Sequence, residues 1–201
     1  MDEAAIPGRD DAGDLFKQVL AYYDAPAYVR RARRVQETHD ALLAACRRRR
    51  DDLLPFVRLY LGRLFALAGD WRAVAALLAD PADADRLARL FDDLRPEPRV
   101  RVAPTPSPRA LRAALAELID SLEAFNRRWR TFLAGLDLGP ANEARDLYNR
   151  YYLLEKECAV RSPRVARQGY NPQPPLTPDD LARAFPPLPV PRPAAATPGL
   201  P

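Results

Sequence analysis

Large apolar side chains recur at alternating intervals of four and three residues along the middle of this 201-residue chain. The series consists of Leu111, Leu115, Leu118, Leu122, Phe125, Trp129 and Phe132. Such spacing places its members on one face of an α-helix, while charged side chains occupy the opposite face. Ser107 and Pro108 provide a helix cap and a first-turn proline immediately before it. We therefore predict a core-facing helix over residues 108–133.

A similar series with the same alternation precedes it in the chain. Its members are Tyr28, Ala32, Val35, His39, Leu42, Cys46, Arg49 and Leu53. The series predicts a helix over residues 26–54, with Pro26 in the first turn. Pro55 cannot donate a backbone hydrogen bond, so we expect the helix to kink or restart there. Residues 55–69 are apolar nearly all round, which predicts a helix covered by neighbours on several sides.

Turn residues and caps predict the remaining elements. Gly69 and Asp70 should end one helix and begin the next, and Asn142 is a candidate cap. Thr177 and Asp180 should form a capping box at the start of the last helix. Further helices are predicted over residues 14–23, 71–79, 83–95, 142–160 and 178–185. The fold class is thus all-α, an irregular bundle of about six or seven helices. The predicted organisation is a flexible N-terminus (1–13), one bundle domain (14–160) with a proline-rich linker (96–107), and an extended proline-rich tail (161–201) that can wrap the bundle.

The segment around Gly69 resembles one hairpin of the tetratricopeptide family. Leu61, Gly62 and Phe65 match the core of that motif, and residues 69–71 match its turn. Arg58 stands where the motif has tryptophan, and no second copy follows at a spacing of about 34 residues. The resemblance therefore implies only a tight antiparallel helix pair.

Charge and composition narrow the function classes. The chain has 31 basic and 27 acidic residues, and this near balance makes its net charge of +4 weak evidence for nucleic-acid binding. We recognise no export signal and no apolar run of about 18 residues, so we expect a cytoplasmic protein that does not enter the membrane. The two cysteines, Cys46 and Cys158, are expected to be reduced thiols.

Motifs that carry catalysis are missing from the sequence. His39 is the only histidine, and its place on the apolar series between Val35 and Leu42 favours a structural role, in which a backbone carbonyl or a carboxylate pairs with the ring. Neither a metal-ligand spacing nor a phosphate-binding glycine loop occurs, so we expect no cofactor and no enzymatic activity. A thiol-dependent site at Cys158, within reach of His39 on a second helix, stays an alternative from the enzyme class.

Clustered arginines form the most prominent charge feature. Arg30, Arg31 and Arg34 lie in one cluster, and Arg47 and Arg48 lie in a second cluster farther along the predicted helix. The offset of about five helical turns would stack the clusters on one face. These side chains are candidate contacts for nucleic-acid phosphates or an acidic partner, and a solvated arginine face is the simpler alternative.

Residues 146–170 mix aromatic and charged side chains more densely than the rest of the chain. Most of them fit a helix that packs on a core. The remainder form a candidate surface site consisting of Tyr148, Tyr152, Arg164, Arg167, Gln168 and Tyr170. In the tail, Arg183, Pro186 and Pro189 match a basic-x-x-P-x-x-P ligand, and a tail that packs on its own domain is the simpler alternative.

The leading interpretation is a non-enzymatic, cytoplasmic module for protein-protein interaction or scaffolding. Its partner is an unknown protein, and a homo-oligomer is one of the open alternatives. Nucleic-acid association through the arginine clusters is the second, less favoured interpretation. The thiol-dependent site at Cys158 is the third.

Overall fold

The described part of the chain folds into helices joined by turns and extended segments. The computed structural model describes residues 26–94, 107–161 and 173–195. Within these ranges lie six helices: α1 (Pro26–Ala68), α2 (Trp71–Ala75), α3 (Ala82–Leu94), α4 (Pro108–Ala134), α5 (Gly139–Arg161) and α6 (Pro178–Ala184). The all-α prediction is confirmed. None of these six helices is long and apolar enough to cross a membrane. The predicted helix at 14–23 lies outside the described residues, as does nearly all of the predicted linker.

The chain divides into two compact units. Unit 1 contains the described residues 26–45, 136–161 and 173–181. Unit 2 contains the described residues 46–94, 107–135 and 182–195. Both α1 and α6 contribute residues to each unit.

Helix α1 continues through Pro55 and has 43 residues. The predicted end near residue 54 was therefore wrong. Proline has no N–H to donate to the carbonyl four residues earlier in the helix. Because Pro55 is exposed, that carbonyl can bind water instead. Cys46 and Leu53 are buried as the apolar series predicts. Arg49 is exposed, because burying an unpaired guanidinium would be costly.

The turn after α1 is fixed by Gly69 and Asp70. Gly69 has a φ of 69°, and the Asp70 carboxylate accepts a hydrogen bond from the backbone N–H of Arg72 to cap α2. The rings of Phe65 and Phe91 stack with centroids 4.3 Å apart, and Trp71 lies 5.6 Å from Phe65. This aromatic cluster joins α1, α2 and α3 in unit 2. Helix α2 has only five residues and is shorter than predicted.

Helix α4 buries the face that its apolar spacing predicts. Leu118 and Leu122 are fully buried, and Ser107 Oγ accepts a hydrogen bond of 3.1 Å from the Ala110 N–H as the cap. Two contacts show that α1 and α4 run antiparallel in unit 2. Arg63 meets Glu117 at 2.6 Å, and the Arg50 guanidinium lies over the Phe125 ring, 5.6 Å from its centroid.

Helices α5 and α6 begin with different caps. Helix α5 starts at Gly139, earlier than predicted, and Asp137 Oδ1 accepts a hydrogen bond of 2.9 Å from the Gly139 N–H. Asn142 is therefore inside the helix and does not cap it. At α6, Thr177 and Asp180 bind each other's backbone N–H groups, which confirms the predicted capping box.

Candidate functional site

Asparagine is rare in this chain, with four residues in 201. Among the described residues, Asn126 lies on α4, and Asn142 and Asn149 lie on α5. Asparagine is unfavourable in helix interiors because its amide competes for backbone hydrogen bonds. Each of these three amides uses both its donor and its acceptor on one residue of the C-terminal segment.

In unit 2, the Asn126 amide holds both backbone groups of Leu188. Asn126 Nδ2 donates to the Leu188 carbonyl at 2.8 Å, and the Leu188 N–H donates to Asn126 Oδ1 at 2.8 Å. Asn126 is 8% exposed and Leu188 is 6% exposed. Both hydrogen bonds are consequently shielded from water. At such a buried position, an unpaired backbone group would cost free energy.

Two further side chains bind the residues just before Leu188. The Trp129 indole N–H donates to the Phe185 carbonyl at 2.9 Å, and its ring meets the Phe185 ring edge-on at 6.2 Å between centroids. Arg50 Nη1 donates to the Pro186 carbonyl at 2.8 Å while its guanidinium lies over Phe125 and Trp129. Partial burial lowers the pKa of Arg50, and the nearby Asp51 carboxylate opposes that shift. The cation is held by aromatic faces and a carbonyl.

The far end of the same segment pairs with the turn between α2 and α3. The Ala79 N–H donates to the Arg192 carbonyl at 2.9 Å, and the Ala194 N–H donates to the Leu77 carbonyl at 2.9 Å. The Arg192 N–H points to the Asp83 carboxylate, 3.3 Å away. Asp83 is 8% exposed and also binds Arg86 at 2.5 Å, so its charge is compensated.

These contacts define one groove in unit 2, which we call the tail groove. It is formed by Arg50, Leu77, Ala79, Asp83, Asn126 and Trp129. Its occupant, residues 185–195, belongs to the tail predicted over 161–201. Most of its polar contacts are to backbone atoms of the tail, and Leu188 supplies a buried apolar anchor. Such contacts recognise an extended chain largely independently of its side chains.

Proline alternates with other residues along the tail groove. Positions 187, 189, 191 and 193 are proline and have no N–H, whereas Leu188, Arg192 and Ala194 each donate to the groove. In an extended chain, N–H groups on alternate residues point to opposite edges. The outward edge of the docked tail therefore offers few donors, which limits pairing with another strand.

Unit 1 holds its part of the C-terminal segment in a similar way. Asn142 pairs with the Leu176 backbone at 3.1 and 2.7 Å, and Asn149 pairs with the Gln173 backbone at 2.6 and 2.8 Å. Between them, Arg145 Nη1 donates to the Pro174 carbonyl at 2.7 Å. Asn142, Arg145 and Asn149 share one face of α5, so this helix presents a row of backbone-binding groups.

His39 approaches the same row from α1. Arg145 Nη2 lies 3.4 Å from His39 Nδ1. A guanidinium can only donate, so Nδ1 is the acceptor in this contact. The predicted structural role for His39 is consistent with this contact, although its partner is an arginine where a carbonyl or carboxylate was expected.

The predicted arginine clusters belong to two different units. Arg30 and Arg34 are exposed in unit 1, where Arg31 is half-buried. Arg47 and Arg48 are exposed in unit 2, and neither forms an ion pair with a described residue. Their role in binding nucleic acid or an acidic partner stays a prediction.

The second predicted site falls largely outside the described residues. Tyr148 is half-buried on α5. Tyr152 and Cys158 are on the same helix, but their side chains are outside the described part, as are the residues Arg164, Arg167, Gln168 and Tyr170. That surface site and the thiol-dependent site both stay predictions. Among the described residues, no group of three or more acidic, histidine or cysteine side chains could hold a metal ion.

The tail groove was missed by reasoning from the sequence. The available signal was Asn126, a polar residue between Phe125 and Trp129 on an otherwise apolar helix face. Comparison with protein-family models, curated proteins and solved structures gave no match to this chain.

Proposed function

We propose that this chain is a non-enzymatic interaction module whose tail groove binds extended, proline-containing protein segments. The main support for this proposal is the pair of hydrogen bonds between the Asn126 amide and the Leu188 backbone. Peptide-binding domains use this kind of contact to hold a chain without reading each side chain. The chain's own tail is the resident ligand, and a segment of another protein with a similar apolar anchor is the partner.

The position of the occupant supports this proposal. A ligand that belongs to the same chain competes at an effective concentration in the millimolar range. A partner therefore has to displace the tail, which makes the groove a regulated site. A cytoplasmic location belongs to the proposal and is supported by the free, buried thiol of Cys46, because reducing compartments keep thiols unpaired.

The proposal is tested with the full chain and a labelled peptide of residues 182–195. Leu188→Asp places a charge in the apolar anchor site and should release the tail without altering the groove. The variant should capture the peptide at least about 10-fold more tightly than the unaltered chain, because the competing tail is gone. Pro189→Asp is the matched control, since Pro189 is exposed and the added charge is the same.

Two further measurements make the result decisive. Adding Asn126→Ala to Leu188→Asp should abolish peptide capture, and a peptide carrying Leu188→Asp should not bind. Helical circular dichroism checks that each variant is folded, and Leu188→Ala is the milder replacement if the aspartate variant unfolds. A folded, tail-released variant that ignores the peptide would show that the groove is only an internal packing site.

A further inference from the structure

Unit 2 carries an apolar patch on the exposed face of α1. Phe56 is 62% exposed and Leu59 is 49% exposed, and these are the exposed large hydrophobic residues of the described part. Pro55 beside them is also exposed. The all-round apolar window had predicted burial by neighbours, and the helices of unit 2 cover only its other face. Contiguous exposed apolar side chains of this kind are typical of interaction surfaces.

Charged residues flank the patch in a symmetrical order. Asp52 lies four residues before Phe56, and Arg63 lies four residues after Leu59, both exposed on the same stripe. Along α1 the stripe therefore reads acid, apolar, apolar, base. Read from the opposite direction, the charges are exchanged while the apolar pair stays in the centre.

We propose that a second copy of this chain covers the patch, with its α1 antiparallel to the first. A twofold axis between positions 56 and 59 sets Phe56 of each copy against Leu59 of the other. The same operation sets Asp52 of each copy against Arg63 of the other. Every contact occurs twice, as an isologous interface requires. The patch is separate from the tail groove, so this inference does not depend on the proposed function.

Charge complementarity favours a second copy over an unrelated apolar helix. In the antiparallel arrangement both terminal pairs are attractive, whereas a parallel arrangement would set like charges side by side. Arg48 of one copy lies roughly 28 Å along the axis from Arg48 of the other. This separation exceeds the Debye length of about 8 Å at physiological salt, so the arginine clusters do not oppose association.

Arg63 can serve this interface without losing its present partner. Its Nη1 binds the Glu117 carboxylate on α4 at 2.6 Å, and the two side chains are 46% and 39% exposed. A guanidinium has five donors, so the remaining N–H groups can reach a second carboxylate. The apolar contribution of each copy is small, and we expect a dimer that forms in the micromolar range or weaker.

The test is a charge exchange followed by sedimentation velocity over a concentration series of the full chain. The unaltered chain should show a reversible dimer. Asp52→Arg sets arginine against arginine, and Arg63→Asp sets aspartate against aspartate. Each change should raise the dissociation constant by roughly 10-fold or more. An equal mixture of the two variants should regain the dimer, because both cross-pairs are attractive again.

Matched controls use exposed charges of α4. Asp120→Arg and Arg112→Asp make the same charge changes outside the stripe on α1 and should leave dimerisation unaltered. Phe56→Ser should abolish the dimer while helicity is retained. A strict monomer at every concentration would overturn the inference. So would a dimer that is insensitive to the exchanges, or a mixture that is no tighter than either variant alone.

Discussion

The side-chain amide of Asn126 forms with the Leu188 backbone the two hydrogen bonds that a neighbouring strand would form in a sheet. It accepts from the Leu188 N–H and donates to its carbonyl, each at 2.8 Å, across 62 residues of sequence. The N–H and the carbonyl of Leu188 are thereby both paired at a buried position without a β-sheet. The tail is accordingly part of the folded unit, and its release would expose the tail groove.

Removing this amide should loosen the tail measurably. Asn126→Ala leaves the buried N–H and carbonyl of Leu188 without partners, and we expect a loss of about 2–4 kcal/mol in the free energy of unfolding. Chemical denaturation measures it, and hydrogen exchange at the Leu188 amide should accelerate. Arg127→Ala changes the exposed neighbour, which has only a long contact of 3.5 Å to Glu123, and should cost less than about 0.5 kcal/mol. Equal losses for both variants would contradict the assignment.

Trp129 should report whether the tail is docked. Its indole is 1% exposed and donates to the Phe185 carbonyl. With Trp71→Phe, Trp129 is the only tryptophan left of two. In that background Leu188→Asp should shift the emission to longer wavelength, because release of the tail brings water to the ring. Pro189→Asp should leave the spectrum unchanged, and an identical shift in both variants would speak against local release.

The backbone-binding side chains of α5, which are Asn142, Arg145 and Asn149, lead to a separate prediction for unit 1. Asn149→Ala removes two partly buried hydrogen bonds to the Gln173 backbone. We expect faster hydrogen exchange at the Gln173 amide and a loss of about 1 kcal/mol in the free energy of unfolding. Glu143→Ala on the exposed side of α5 is the control. An unchanged exchange rate at Gln173 would mean that this segment is held by other contacts.

The elements that could be predicted from the sequence depend on local regularities. The buried face of α4 follows from its apolar spacing, and the starts at Ser107, Asp70 and Thr177 follow from side chains that bind backbone groups within the first turn. Each of these signals involves residues only a few positions apart. These signals can therefore be recognised in the sequence without knowledge of the tertiary structure.

The tail groove and the exposed patch could not be predicted because distant residues decide them. Asn126 was an unexplained polar residue until Leu188 was placed against it. Phe56 and Leu59 were predicted to be covered because the window is apolar all round, but the neighbouring helices cover only one face of α1. The continuation of α1 through Pro55 depends on its solvent exposure, which the local sequence does not determine.

Gly69 should be required for its backbone angle. A Cβ at this position would meet nothing within 4 Å, so the cost of Gly69→Ala lies in the φ of 69°. We expect a loss of about 1–2 kcal/mol, measured by thermal unfolding. Gly135→Ala is the control, because its φ is −93° and its added Cβ would make ordinary contacts at 3.5 and 3.7 Å. If Gly135→Ala costs as much, the left-handed angle is not the cause.

Because of Cys46, the free energy of unfolding should decrease as pH rises in the alkaline range. Burial raises the pKa of its thiol in the folded state, while the unfolded thiol titrates near its usual value of about 8.5. Above that value the unfolded chain loses the proton first, so the contribution of Cys46 is fully present below it and falls as pH rises. The difference in free energy of unfolding between the unaltered chain and Cys46→Ala should shrink by up to about 1.4 kcal/mol per pH unit. Denaturant titrations from about pH 7 to about pH 10 measure this difference, and a constant difference would show that the thiol titrates equally in both states.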